Sequence, residues 1–433
     1  CSATSTVGKA SPLLTSVAAS TIVPGPISDS ATLASGFNPT GTLTFKAFGP
    51  ENATCTGTAA FTKAVTVSGN KSYGSTDFPE PKIGSYRWTI EYSGDANNVA
   101  VSSPCNAANE TSTVAKVPPA LSVTTTNAAI GGAIASFAIF GGGLQHSGQV
   151  VFRAYSPTDP TCAGTPAFAS TVPVTSSNNT YASGQFTPPR AGSFRWTVSY
   201  SGDEKNAAET TPCTAVASVA PATPALAPQI SAGQITLGDG VRDTVALSAG
   251  FNPTGTLTFN LYGPGDTSCS GSPALTSTAT VSANGSFASA SLVPKKAGDY
   301  RFIVSYSGDD SNSAVAAACG AGGQYVQVQK RTPTLKGRAA VKGKKLVVRA
   351  TLAGADSPRG KISFRVYAPG DSRCSKKPAF SSQAKVTRSG DYSASYLFKR
   401  GGLYHFAIAY SGDERNLSVK KGCATRGQSI RVP

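Results

Sequence analysis

The clearest pattern along the chain is a strict alternation of apolar and polar residues just before the motif YSGD. It occurs four times, in the stretches SYRWTIEY, SFRWTVSY, DYRFIVSY and LYHFAIAY. Alternation of aromatic and β-branched residues with polar ones is typical of a strand with one buried face. The predicted inward residues are Tyr86, Trp88, Ile90 and Tyr92; Phe194, Trp196, Val198 and Tyr200; Tyr300, Phe302, Val304 and Tyr306; and Tyr404, Phe406, Ile408 and Tyr410.

A second alternating strand lies upstream, in GTLTFKAF, GQVVFRAY, GTLTFNLY and GKISFRVY. Weaker strand patterns lie before it and between the two, and a last strand follows each YSGD. Turn signals recur every 8 to 12 residues and no stretch has helical periodicity. This pattern predicts an all-β chain of four tandem immunoglobulin-like sandwiches with about seven strands each.

The cysteines repeat with the same period. Cys55, Cys162, Cys269 and Cys374 are 107, 107 and 105 residues apart, and a second series follows each by 49 to 51 residues. We therefore expect repeats at 12–117, 118–221, 222–331 and 332–433, with residues 1–11 as the tail of a truncated upstream repeat. Cys1 fits the end of that repeat, although a processed bacterial lipoprotein would also begin with cysteine.

Even cysteine pairs at fixed spacing predict disulfide bonds formed in an oxidising, extracytoplasmic compartment. Zinc is the rival ligand, but the chain has no CxxC motif and only two histidines. We expect Cys1 to be free. The predicted pairs are Cys55–Cys105, Cys162–Cys213, Cys269–Cys319 and Cys374–Cys423.

Proline-bearing linkers join the repeats, in VPPALSV, PATPALAPQI and KRTPTLKG. Because proline presets an extended backbone, these linkers are predicted to be semi-rigid spacers. Four domains in line would span on the order of 100–140 Å. No run of 18 apolar residues occurs, so we expect no membrane span in this segment.

The order GTLTF, GPxDxxC, AGxYRW, YSGDxxN and C resembles the tandem bacterial immunoglobulin-like repeats (group 3 type) of large cell-surface proteins. Departures are small: Glu51 and Asn52 stand in a turn that elsewhere has aspartate, and repeat four opens with PRGKISF. The resemblance implies the fold and a surface location. It leaves the function open, because such domains serve as stalks, adhesin shafts and accessory modules of exported enzymes.

The YSGDxxN turn offers one candidate metal site per repeat. Its acids are Asp95, Asp203, Asp309 and Asp413, each followed three residues later by asparagine. One interpretation is an Asx-type turn in which the carboxylate accepts backbone N–H groups. The other is calcium, which prefers six or more oxygen ligands, whereas each turn supplies one or two acids.

Catalytic chemistry is not indicated, and we expect neither an enzyme nor a cofactor. The two histidines, His146 and His405, lie in different repeats without matched partners. The glycines at 141–143 do not lead from a strand into a helix, so they predict a turn rather than a phosphate-binding loop.

Charge divides the chain unevenly. Residues 1–329 hold 15 basic and 17 acidic residues, whereas residues 330–433 hold 23 and 5. The excess of basic residues in 330–433 could reflect drift in surface charge among the repeats. It could also serve attachment to an anionic wall polymer, polysaccharide or extracellular DNA. The candidate binding residues are Lys342, Lys344, Lys345, Lys376, Lys377, Lys420 and Lys421.

These observations favour a non-catalytic stalk or spacer of a secreted or surface-anchored bacterial protein that supports adhesion. Two alternatives remain: a binding module based on the basic fourth repeat, and an accessory region of a larger exported enzyme. The ligand, the mode of anchoring and the oligomeric state stay open.

Overall fold

The computed structural model describes residues 4–175, 178–423 and 425–433, so the predictions about Cys1 lie outside the described residues. The chain divides into two compact units, Cys1–Pro188 with Gly192–Val219, and Pro189–Ala191 with Ala220–Pro433. The fold is all-β, as predicted. Among the described residues, the only helical element is a 3-10 turn at Ala321–Gly323.

Repeat one has nine strands in its described residues. They are β1 (Leu13–Ala19), β2 (Thr21–Ile22), β3 (Ser28–Ala34), β4 (Thr42–Phe48), β5 (Phe61–Thr66), β6 (Lys71–Gly74), β7 (Gly84–Tyr92), β8 (Val101–Ser102) and β9 (Thr111–Ala115). β1, β3 and β6 form one antiparallel sheet. The second sheet has the order β2-β9-β7-β4-β5, with β8 beside β7, and only its β2–β9 pair is parallel.

Repeat two has the same two sheets. Its described strands are β10 (Ala120–Thr125), β11 (Ala128–Ala129), β12 (Ser136–Gly141), β13 (Gln149–Tyr155), β14 (Phe168–Pro173), β15 (Thr180–Ala182), β16 (Gly192–Tyr200), β17 (Glu209–Thr210) and β18 (Ala215–Ala220). β10-β12-β15 is the smaller sheet, and β11-β18-β16-β13-β14 with β17 is the larger.

Repeat three follows the pattern in the second unit. Its strands are β19 (Ala225–Ile230), β20 (Gln234–Thr236), β21 (Asp243–Ser248), β22 (Gly255–Tyr262), β23 (Leu275–Val281), β24 (Gly285–Ala288), β25 (Gly298–Tyr306), β26 (Val315–Ala316) and β27 (Tyr325–Gln329). The sheets are β19-β21-β24 and β20-β27-β25-β22-β23 with β26.

Repeat four departs at its first strand. Its described strands are β28 (Thr334–Lys342), β29 (Lys345–Ala353), β30 (Lys361–Tyr367), β31 (Phe380–Lys385), β32 (Gly390–Leu397), β33 (Gly402–Tyr410), β34 (Val419–Lys421) and β35 (Ser429–Val432). Because Gly343 and Lys344 close a tight hairpin, β28 stays in the sheet β28-β29-β32. In the other repeats the first strand divides between both sheets.

The short strand after each YSGD adds one strand to the predicted seven in every repeat, and the division of the first strand adds another in repeats one to three. Each smaller sheet packs on the larger one through side chains that point inward from both. In repeat one, Leu33 of β3 shares a fully buried cluster with Phe45 of β4 and Trp88 of β7. The predicted inward aromatic residues are buried in all four repeats.

Candidate functional site

The YSGDxxN turn is a dense network of hydrogen bonds around one carboxylate. In repeat one, Asp95 Oδ2 accepts hydrogen bonds from Thr40 N (2.6 Å) and the Tyr92 hydroxyl (3.0 Å). Asp95 Oδ1 accepts from Asn97 N (2.7 Å) and from Asn98 N (2.8 Å). Gly94 permits the turn with a φ of 69°, and a Cβ there would lie 2.8 Å from Ala100 N.

The buried asparagine of the motif bonds to the loop before the upstream strand. Asn98 donates both to Asp95 and to the Phe37 carbonyl (3.1 Å), and its Oδ1 accepts from Phe37 N (2.8 Å). The asparagines of the other repeats bond the equivalent backbone in the same two ways. The motif therefore joins the end of the YSGD strand to the loop before the upstream strand.

The hydrogen bonds determine the charge of the turn. The backbone N–H of Thr40, first among several donors, holds the pKa of Asp95 far below its usual range. Burial tends to raise the pKa of Asp413, but donors including Arg359 N and the Tyr410 hydroxyl outweigh it and lower that pKa to about 2. The carboxylates are thus ionised at ordinary pH.

This geometry favours the Asx-type turn over the calcium interpretation. The carboxylate lone pairs of Asp95 and its three counterparts face N–H and O–H donors. Calcium would have to displace those donors and find further oxygen ligands. In the described part of the chain, no three His, Cys, Asp or Glu side chains gather into a metal-binding group.

The same turn also binds the linker that enters its own repeat, which the sequence reasoning missed. Ala10 N donates to Asn97 O (2.8 Å), and Val99 N donates to Ala10 O (3.0 Å). Val117, Ala222 and Arg331 make the same pair of backbone bonds in the following repeats. We call this arrangement the linker clamp, formed by the turn and by Ala10, Val117, Ala222 or Arg331.

A lysine reinforces three of the four clamps. Lys9 Nζ donates to the backbone carbonyl of Asp95, and Lys330 Nζ donates to that of Asp413, both at 2.8 Å. Lys116 Nζ makes the same contact with the backbone carbonyl of Asp203. Pro221 occupies this position in repeat three. A lysine three residues before a linker proline, as in Lys9–Pro12, Lys116–Pro119 and Lys330–Pro333, is a sequence signal that could have revealed the clamp.

The clamp leaves little free chain between neighbouring domains of one unit. β9 ends at Ala115 and the clamp of repeat two holds Val117, so Lys116 alone separates them. β27 ends at Gln329 and the clamp of repeat four holds Arg331.

Side chains further tie repeat four to repeat three. Arg331 donates to the Leu237 carbonyl and to Asp239, both at 2.9 Å. Arg415 of repeat four donates to the Lys295 carbonyl at 2.9 Å. The joint within the second unit is therefore fixed by backbone and side-chain bonds together.

The described residues form four disulfide bonds, and each lies within one repeat. They join Cys55 to Cys105, Cys162 to Cys213, Cys269 to Cys319 and Cys374 to Cys423. The first cysteine of each pair lies in the loop after the upstream strand, and the second lies in the turn before the last strand. The bridges thus connect two loops and leave the core to the aromatic side chains.

The predicted basic residues do not converge on one site. Lys342, Lys344 and Lys345 lie at the hairpin between β28 and β29. Lys376 and Lys377 belong to the loop after Cys374, and the last pair lies on β34 of the other sheet. That pair is Lys420, which is exposed, and Lys421, which is half-buried.

The two histidines occupy structural positions. His146 is buried, and its ring lies 4.6 Å from that of Phe140 and 6.1 Å from that of Tyr200. His405 lies on β33 as a half-buried residue, opposite Tyr367 of β30. Within the described residues, no helix is long and apolar enough to cross a membrane.

No protein-family model matches the chain, and no curated protein does. Among solved structures, the chain is similar to the crystal structure of the FN1–FN3 domains of chicken CNTN1. That similarity covers 73% of this chain and 98% of the other, at 10% sequence identity and a TM-score of 0.18. At this TM-score the likeness assigns neither a family nor a function to the chain.

Proposed function

We propose that the chain is a non-catalytic structural spacer in a secreted or surface-anchored bacterial protein, and that it supports adhesion by holding another part of that protein away from its anchor. The linker clamp is the observation that carries this proposal. A flexible tether would leave its linkers free, whereas here one linker residue in each repeat is bonded to the domain that it enters.

The remaining features support the same role. Each repeat has its own buried core, so it does not depend on its neighbours for burial of apolar surface. A disulfide that closes a loop of about 50 residues contributes roughly 4 kcal/mol in the chain-entropy model. Four such bonds suit an oxidising environment outside the cell, where a spacer must resist unfolding. The resemblance to bacterial group 3 repeats adds the surface location.

Amide hydrogen exchange on the full chain tests the clamp at Val117. Val117 N donates to Lys205 O and Ala207 N donates to Val117 O, both at 2.9 Å. We expect both amides to be protected like strand amides. In Asn206→Ala, which loses the bonds that brace the turn, the two amides should exchange faster by at least about tenfold.

The clamp at Arg331 is the control within the same molecule, because Asn206→Ala leaves its turn intact. Its amides, Arg331 N and Leu417 N, should exchange as in the unmodified chain. If Val117 of the unmodified chain exchanges at the rate of an unstructured peptide, the linkers are flexible and the proposal of a stiff spacer is wrong.

A second function is favoured by the charge of repeat four. We propose that this repeat also binds an anionic polymer outside the cell. Residues 330–433 hold 23 basic and 5 acidic residues, against a near balance in the rest of the chain. Binding of the full chain to heparin, polyphosphate or DNA at low salt, with loss as salt rises, tests this proposal.

A further inference from the structure

The smaller sheet of repeat four has a strongly basic outer side. Its exposed cationic side chains come from two adjacent strands, β28 and β29. We call this surface the basic face. Its members are Lys336, Arg338 and Lys342 of β28, and Lys345 and Arg349 of β29.

Several of these charges lie directly opposite one another. In the β28–β29 register, Arg338 faces Arg349 and Lys342 faces Lys345. Like charges at such positions destabilise a sheet. One acid on these strands and β32, Asp391, offsets them, through a contact of 3.4 Å with Arg349. The face therefore carries charge in excess of what folding requires.

The corresponding sheets of the other repeats show that the fold does not need these cations. The exposed residues of β1, β10 and β19 are small, polar or apolar, and none is charged. Lysine on an edge strand can prevent aggregation between sheets, and β28 is an edge strand. However, Lys345 and Arg349 lie on the central strand β29, where edge protection has no use.

The shape of the basic face indicates a linear partner. Alternate residues of a strand are about 6.7 Å apart and neighbouring strands about 4.8 Å, so the cations form a narrow strip roughly 20 Å long. Besides Asp391, the other outward side chains of the three strands are Thr334, Ala340, Val347, Thr351, Ala353, Ser393, Ser395 and Leu397.

That outer surface has no aromatic side chain on which a base or a sugar ring could stack. Recognition must then rest on the charge of the polymer backbone. Guanidinium groups such as those of Arg338 and Arg349 suit phosphate oxygens, which they can bind through two parallel hydrogen bonds.

We propose that the basic face binds a linear polymer with a phosphate in every backbone unit. This inference rests on the proposal that repeat four holds an anionic polymer, and it assigns both the surface and the chemistry. Sulfated and carboxylated polysaccharides are the competing ligands that the experiment must separate.

The experiment measures binding of the full chain to fluorescent long-chain polyphosphate at several salt concentrations. The test variant combines Arg338→Gln, Lys345→Gln and Arg349→Gln. The matched control combines Lys376→Gln, Lys377→Gln and Lys420→Gln, which removes the same charge from other surfaces of repeat four. We expect the test variant to weaken binding by at least about tenfold at low salt. The slope of log binding constant against log salt concentration should become shallower by about 2. The control should weaken binding by less than about threefold.

Thermal unfolding separates a loss of binding from a loss of folding. Because the test variant removes opposed like charges, its melting temperature should equal or exceed that of the unmodified chain. If both triple variants weaken binding equally, the basic face is not the site, although repeat four still binds a polyanion. If the unmodified chain binds no polyanion, the second proposed function fails as well.

Three further probes determine the ligand chemistry. We expect double-stranded DNA to bind through the same face, because it shares the phosphate backbone. The ratio of the affinity for DNA to the affinity for polyphosphate shows which of these two phosphate polymers the face prefers. Heparin and alginate should bind more weakly than polyphosphate at equal charge concentration. Tighter binding of either polysaccharide would overturn the phosphate assignment.

Discussion

Repeat one contains a buried pair of carboxyl groups, and replacing one of them should change how its stability depends on pH. Asp29 and Glu110 are 2% and 1% exposed. Burial, and then the charge of Asp29, raises the pKa of Glu110 to about 8. Burial likewise raises the pKa of Asp29. At neutral pH the folded pair therefore retains a proton that the unfolded chain releases.

The direction of the pH effect follows from these pKa values. Since the folded state holds the proton more tightly, Glu110 favours folding below pH 4.5, and this contribution is lost as pH rises through about 8. Glu110→Gln removes the ionisation and should stabilise repeat one at pH 8–9. One pKa unit corresponds to about 1.4 kcal/mol; allowing for partial rehydration of the ionised pair, we expect a gain of about 2 kcal/mol.

Repeat three supplies the natural precedent for this variant. Its buried Asp243 lies beside the buried side chain of Gln324. The Gln324 carbonyl accepts from Phe302 N, as the Glu110 carbonyl accepts from Trp88 N. Glu110→Gln therefore gives repeat one the pairing that repeat three already has.

Tryptophan fluorescence can report on repeat one alone. The chain has two tryptophans, and Trp196→Phe leaves only Trp88. Phenylalanine already occupies the matching position in repeats three and four, at Phe302 and Phe406. In that background Glu110→Gln should raise the melting temperature of repeat one by about 8–16 °C at pH 9 and change it little at pH 5. If the melting temperature of repeat one depends on pH in the same way in Trp196→Phe with and without Glu110→Gln, the account of the carboxyl pair is wrong.

Two further predictions concern the core and the clamp. Trp196→Ala should destabilise repeat two by roughly 3–5 kcal/mol, because it removes a fully buried aromatic side chain, and calorimetry should show one early transition while the other repeats melt as before. A common shift of all transitions would show that the repeats are coupled. Asp413, whose pKa is lowered to about 2, stabilises repeat four above pH 4 and ceases to do so as pH falls towards 2. Asp413→Asn should therefore flatten the acid unfolding curve of repeat four, and a curve of unchanged steepness would contradict that role.

Much of the fold was predictable because it depends on local pattern. Alternation around Trp88 and Tyr410 identified the buried strand, and the regular spacing of the cysteines identified the repeats. The division of the first strand between two sheets was missed, since β1 and β2 are separated only by Ser20, which is no strong turn signal. The passage of the chain from β1 in the smaller sheet to β2 in the larger one depends on pairing with β9, which follows about 90 residues later.

The functional features were harder to predict because they join distant residues. Ala10 has no distinctive chemistry of its own, and the clamp arises only when the linker meets the turn at Asn98. The basic face was missed because Lys336, Arg338 and Arg349 alternate with buried or half-buried residues, whereas the sequence reasoning looked for consecutive lysines. The pair of Asp29 and Glu110 depends likewise on sheet packing.

Force spectroscopy on single full-length chains tests the spacer proposal most directly. Independent repeats should unfold one at a time, giving four similar events. With the disulfides intact, about 50 of about 105 residues in each repeat remain locked, so each event should release about 15–20 nm, and a reductant should lengthen this to roughly 30–35 nm. Extension without discrete events, or one event that unfolds the whole chain, would contradict the account.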